Sequence, residues 1–182
     1  MNCKHLMPLV AALFFCYPIV SSAHIHPTKV SAEQAKSEGI ILGTLAVINK
    51  NEIAAGHLAE EKSANPEVRD YALLMIKEHG DNLNKTEALS NKLGIKPIKG
   101  KVALKLQAKG KKELATLKKL KGSSFDKAYI AAMVKGHVEA LNLINTLINE
   151  SSNPLVKKHL EKTKPHVEHH LTKAKDIKKS IS

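Results

Sequence analysis

Two Asn-Pro steps, Asn65-Pro66 and Asn153-Pro154, constrain the fold of this chain more than any other feature in it. An Asn side chain caps the free amides of a helix start, and a Pro at the first helical position lacks only an N–H that would be unpaired there anyway. Each step closes one amphipathic run and opens another, so each marks a tight joint between two helices. Ser31 with Gln34 forms a capping box ahead of the first run, Gly94 offers a stop to the second, and Ser123 with Asp126 reads as another box.

Between these signals the apolar residues recur at helical steps of three and four. The first run carries Ile41, Leu45, Ile48, Ala55 and Ala59, and the second Val68, Ala72, Met75 and Leu83. The third carries Ile130, Met133, Ala140, Ile144 and Leu147, and the fourth Val167, Ala174, Ile177 and Ile181. Strand-like alternation is scarce. The short joints predict two antiparallel helical hairpins, and residues 95–122 are long enough to run the length of a bundle between them. This pattern predicts an all-α, ferritin-like four-helix bundle over residues 31–182, its hairpins joined by one long, partly helical crossover.

Residues 1–23 read as an export signal rather than fold: Lys4, an apolar run from Leu6 to Val20, then Ser21-Ser22-Ala23. Residues 24–30 read as a flexible amino terminus. The apolar run falls short of the roughly 20 residues that span a bilayer, and no later segment is uncharged for long enough. Both cysteines, Cys3 and Cys16, fall in the leader, so the rest of the chain has neither a disulfide nor a thiolate ligand. The expectation is an exported protein, periplasmic or peripherally associated with the outer membrane.

Four polar residues interrupt the apolar seams, one per helix: Glu52, His79, His137 and His170. Glu52 lies 13 residues before Asn65 and His79 lies 14 after it, while His137 lies 16 before Asn153 and His170 lies 17 after it. At about 1.5 Å of rise per residue, the members of each hairpin reach the same height. A carboxylate and three imidazoles converging in an apolar interior suit one divalent transition metal ion such as zinc, iron or copper. A hydrogen-bonded structural cluster is the alternative.

The runs "NEIAAGHLA", "NPEVRDYALLMIKEHGD", "GSSFDKAYIAAMVKGHVEALNLI" and "KPHVEHHLTKA" resemble the bacterial secreted domain-of-unknown-function family 4142, over about residues 40–175. Its members are labelled outer-membrane proteins and regarded as ferritin-like. Glu52, His79, Phe125-Asp126, His137 and His170 fall on its recurrent positions. Glu78 stands where that family more often has Asp, and Lys164 precedes Pro165 where an apolar residue is usual. The resemblance implies the fold and an exported location, with no established activity. Di-iron proteins of ferritin-like fold use paired Glu-x-x-His motifs. Here Ile76, Val134 and Val167 stand three residues before the histidines, so no di-iron centre is expected.

His166 shares i, i+4 spacing with His170 and is a reserve ligand, while His24 and His26, at the terminus left by cleavage after Ala23, could hold copper or nickel. The chain carries a net charge of +12, and residues 95–122 hold ten Lys against the single Glu113. Lys101, Lys105, Lys109, Lys111, Lys112, Lys118, Lys119 and Lys121 make this segment a candidate surface for anionic lipid or lipopolysaccharide. In that alternative the protein is a non-catalytic envelope module whose Glu/His cluster is structural. Few aromatics and one arginine beyond the leader argue against nucleic acid. No Ser-His-Asp pattern, phosphate-binding loop or dinucleotide fingerprint points to an enzyme.

Overall fold

The computed structural model describes residues 31–182. Residues 1–30, with the expected export signal and His24 and His26, lie outside the described residues. Five helices follow in order: α1 (Ala32–Lys62), α2 (Pro66–Leu93), α3 (Lys101–Lys118), α4 (Gly122–Glu150) and α5 (Pro154–Ser180). No described helix is long and apolar enough to cross a membrane.

The predicted start signals work as read, with one exception. Gln34 N–H donates to Ser31 Oγ and Ser31 N–H to Gln34 Oε1, closing the box ahead of α1. The Asn65 carboxamide oxygen accepts from the amides of Glu67 and Val68, and Asn153 does the same for Leu155 and Val156. Gly94 ends α2 with φ 64°, the left-handed conformation that a side chain would disfavour. The exception is Ser123. Helix α4 begins earlier, at Gly122, with Lys121 as its cap and no side-chain capping bond. The capping role expected for Asp126 is therefore overturned. Asp126 is instead drawn inside beside Phe125 and Tyr129, whose buried rings stack 6.0 Å apart.

Helices α1 and α2 pack along one another, as do α4 and α5, and the pairs meet through α2 with α5 and α1 with α4. The crossover is partly helical, as expected: it contains the 18-residue helix α3, packed mainly on α1. Two glycines of α1 receive its leading segment. A Cβ at Gly43 would lie 2.1 Å from the Ile98 carbonyl oxygen, and one at Gly39 would lie 2.7 Å from that of Lys96. The Ile98 amide also donates to the Gly39 carbonyl at 2.7 Å. Further along, Asn51 Nδ2 donates to the Leu106 carbonyl of α3 at 3.0 Å. Leu117 is buried, and Leu114 and Leu120 pack against the same apolar cluster.

The core has two apolar ends. One gathers Leu58, Val68, Tyr71, Met75, Phe125, Tyr129, Ile130 and Met133. The other gathers Ile41, Leu42, Leu45, Leu147, Val156 and Leu160. Between them lies a polar layer that includes Asn49, His79, Thr86, His137, Thr163 and His170. Buried polar groups in such a layer must find partners or lose about 1–3 kcal/mol each.

Candidate metal centre

His79 in α2, His137 in α4 and His170 in α5 meet at the middle of this layer, with exposures of 4%, 2% and 1%. Their ring centroids stand 5.8 Å (His79 to His137), 5.1 Å (His79 to His170) and 5.4 Å (His137 to His170) apart. Each can offer one donor atom such that all three atoms lie within 4.8 Å of one another. The equal heights set by the two Asn-Pro joints thus bring the three histidines together. Pro165, inside α5, leaves His170 facing the core.

Each imidazole is anchored through one nitrogen only. His79 Nδ1 faces Asn49 Oδ1 at 2.9 Å, His137 Nδ1 faces the Met133 carbonyl at 2.8 Å, and His170 Nε2 faces Glu78 Oε2 at 3.0 Å. A carbonyl and a carboxylate can only accept, so His137 carries its proton on Nδ1 and His170 on Nε2. Asn49 is oriented by donating from Nδ2 to Asn82 Oδ1 at 2.8 Å, and Asn82 in turn donates to Thr163 Oγ1 at 2.7 Å. That chain presents an oxygen to His79 and fixes its proton on Nδ1. The remaining nitrogens, His79 Nε2, His137 Nε2 and His170 Nδ1, are buried lone pairs with no partner.

Burial holds His79 well below the ordinary imidazole range, and the neighbouring His170 and His137 push it further. Burial, reinforced by His137 and opposed by Glu78, lowers His170 to about 4. Both rings are therefore neutral near pH 7, the state in which an imidazole ligates a metal. Burial alone would raise the Glu78 carboxyl, but hydrogen bonds from His166 and His170 outweigh it and hold it below the ordinary value.

Glu52 falls outside the three-histidine set. Its carboxylate lies against Gly136, where a Cβ would come within 3.7 Å of Oε1, and Oε2 is buried without a partner. Burial raises its pKa and the adjacent His137 lowers it. Glu52 opens onto a cavity of about 90 Å³ between α1, α3 and α4, shared with Lys109, Glu113 and Glu139. Lys109 pairs with Glu139 there. His166 is exposed and points Nδ1 at Glu78 Oε2 from 2.9 Å.

Three participants escaped the sequence reading. Asn49 sits one turn before Glu52 on the same face of α1, Asn82 sits one turn after Glu78, and Glu78 itself registered only as a departure from a family pattern. Asn82 stands three residues after His79 and Asn49 three before Glu52, the spacing at which helix neighbours support a buried polar group, whereas Glu78, next to His79 in the chain, carries no such signal. The eight candidate lysines of the crossover are all exposed.

Fold and site together define an all-helical domain with three buried imidazoles at its waist. The profile described as Domain of unknown function (DUF4142) matches residues 26–177, and the chain belongs to that family. A crystal structure of a Streptomyces coelicolor protein assigned to DUF305 and described as secreted is similar, with a TM-score of 0.69. The two are 10% identical, over 80% of this chain and 93% of that one, so the likeness speaks for the fold alone. No curated protein matches the chain.

Proposed function

We propose that this protein is an exported, ferritin-like metal-binding protein that holds one divalent transition metal ion through His79, His137 and His170. The supporting observation is the set of three buried, unpartnered nitrogens whose opposite ring nitrogens are each held by an acceptor. Ligating histidines have this arrangement, in which the second partner fixes the tautomer and aims the lone pair. Leaving three lone pairs dry costs free energy that a cation recovers. Three imidazole nitrogens leave a coordination position for water or for Glu52, the candidate fourth donor, as in tetrahedral zinc or an open-sided iron or copper site. The role that follows is metal handling or stress protection in the cell envelope. Export is supported by the leader-like residues 1–23.

The test is metal content. Tag-free protein equilibrated with zinc and freed of excess should carry about one ion per chain. A His79→Ala, His137→Ala variant should carry none. Metal absent from both, or kept by the variant, would sink the proposal.

A second reading concerns the crossover. Its eight lysines are exposed, and at the start of α3 Lys101 and Lys105 flank Val102 and Leu104, which are 47% and 53% exposed. Cations beside exposed apolar side chains suit an anionic lipid or lipopolysaccharide surface. Sedimentation with anionic vesicles that weakens with salt and vanishes on Lys→Gln changes in α3 would support it; binding indifferent to both would end it.

A further inference from the structure

The three histidines are buried, so an ion must have a way in. Two hollows reach the polar layer. The one between α1, α3 and α4 is lined by Glu52 but by no imidazole. The other, a cleft of about 270 Å³ between α2 and α5, has His79 and His170 in its wall and Glu78 and His166 among its lining. Lys77, also on that cleft, is paired with Asp81 at 2.9 Å.

We propose that this α2/α5 cleft is the loading route of the metal centre, and that Glu78 and His166 form a second, transient cation position at its mouth. The inference rests on the metal-centre reading. A single oxygen, Glu78 Oε2, accepts from His166 Nδ1 at 2.9 Å and from His170 Nε2 at 3.0 Å. His166 is exposed, Glu78 is partly buried and His170 is buried, so the three span the distance from solvent to core. His170 belongs to both positions. Its Nε2 meets Glu78, while its Nδ1 is one of the three unpartnered nitrogens inside.

Carboxylate and imidazole are donors that zinc and its neighbours accept. A hydrated ion arriving at the mouth exchanges part of its water for Glu78 and His166 before it meets the buried nitrogens. Dehydration is thereby divided into smaller steps, and the barrier to loading falls. His166 lies outside the inner set, so removing it changes the rate at which the ion passes without changing where it ends.

Cobalt(II) is the probe, followed by stopped-flow absorbance on metal-stripped wild type, His166→Ala and Glu78→Gln. His166→Ala should take up cobalt several-fold more slowly, and should release it to a chelator more slowly by the same factor. Its affinity and final cobalt content should match wild type. Glu78→Gln, which keeps an oxygen for His170, should load slowly as well. Wild-type loading rates in both variants would overturn the route while leaving the centre standing. A weaker cobalt affinity in His166→Ala at an unchanged loading rate would overturn it too, making His166 a support of the site. A wild type that takes up no cobalt would remove the centre, and the route with it.

Discussion

Each histidine of the layer is set by one specific neighbour, and those neighbours can be changed. Asn49→Leu removes the acceptor that fixes the His79 tautomer, and should weaken zinc binding by about 10–100-fold with the three ligands intact. Competition with a chromophoric chelator reads this directly. The metal-free protein should also be acid-sensitive for a definite reason. His170 falls from an ordinary 6.5 to about 4 on folding, and His79 is depressed as well. The unfolded chain then binds more protons, so their contribution is complete above about pH 6.5 and is lost as pH falls toward about 4, at up to about 1.4 kcal/mol per pH unit for each group. Glu52 acts in the opposite sense because burial raises its carboxyl. Thermal melts of metal-free protein should show Tm dropping between pH 7 and 4.5, more steeply in Glu52→Gln; a flat profile contradicts the buried neutral histidines. The histidines were legible in the sequence because an imidazole in an apolar seam breaks a period. Asn49 and Glu78 were not, because they sit beside the seam, where polar residues are ordinary. Only the pairing of α2 with α5 turns Glu78 inward.

Helix α1 has a different task, since it must seat another backbone. Gly43→Ala should destabilise by about 1–3 kcal/mol through overpacking, because the Ile98 backbone occupies the space a methyl would need. Gly80→Ala should do the reverse. A Cβ there meets nothing within 4 Å, and the change removes the entropic cost of glycine in a helix, about 0.5–1 kcal/mol. Chemical denaturation of the two variants should therefore give shifts of opposite sign. Glu38 is another inter-element device. It is buried and accepts from the Ser152 and Asn153 amides and from the Ser151 and Ser152 hydroxyls. It ties the start of α5 to α1. Helix starts that depend on local side chains were readable: Ser31, Asn65 and Asn153 all cap as expected. The start of α4 was not, because Gly122 and the burial of Phe125 set it rather than a capping hydroxyl. Nothing in the local pattern of α1 marks Gly39 and Gly43 as the seat of the crossover, which lies against them only in the folded chain.

Over the whole molecule, the polar layer divides the core into two apolar ends, so the metal-free state should be the softer one. Binding confined to the folded state stabilises by about 2.7 kcal/mol when free metal is a hundred times its dissociation constant. Zinc should therefore raise Tm in wild type and leave the His79→Ala, His137→Ala variant unmoved; an equal rise in both would place the ion elsewhere. The sequence showed the helical class and the two hairpins from their joints alone. The placement of α3 depends on contacts with α1 that lie far away along the chain. His79 belongs to the first hairpin, while His137 and His170 belong to the second, and the described residues contain no cysteine to join them. An ion at the three nitrogens is then a bolt between two halves, drawn or set by the free metal around the protein. On that reading, a chain nicked between α3 and α4 would become two pieces whose reunion follows the free metal concentration.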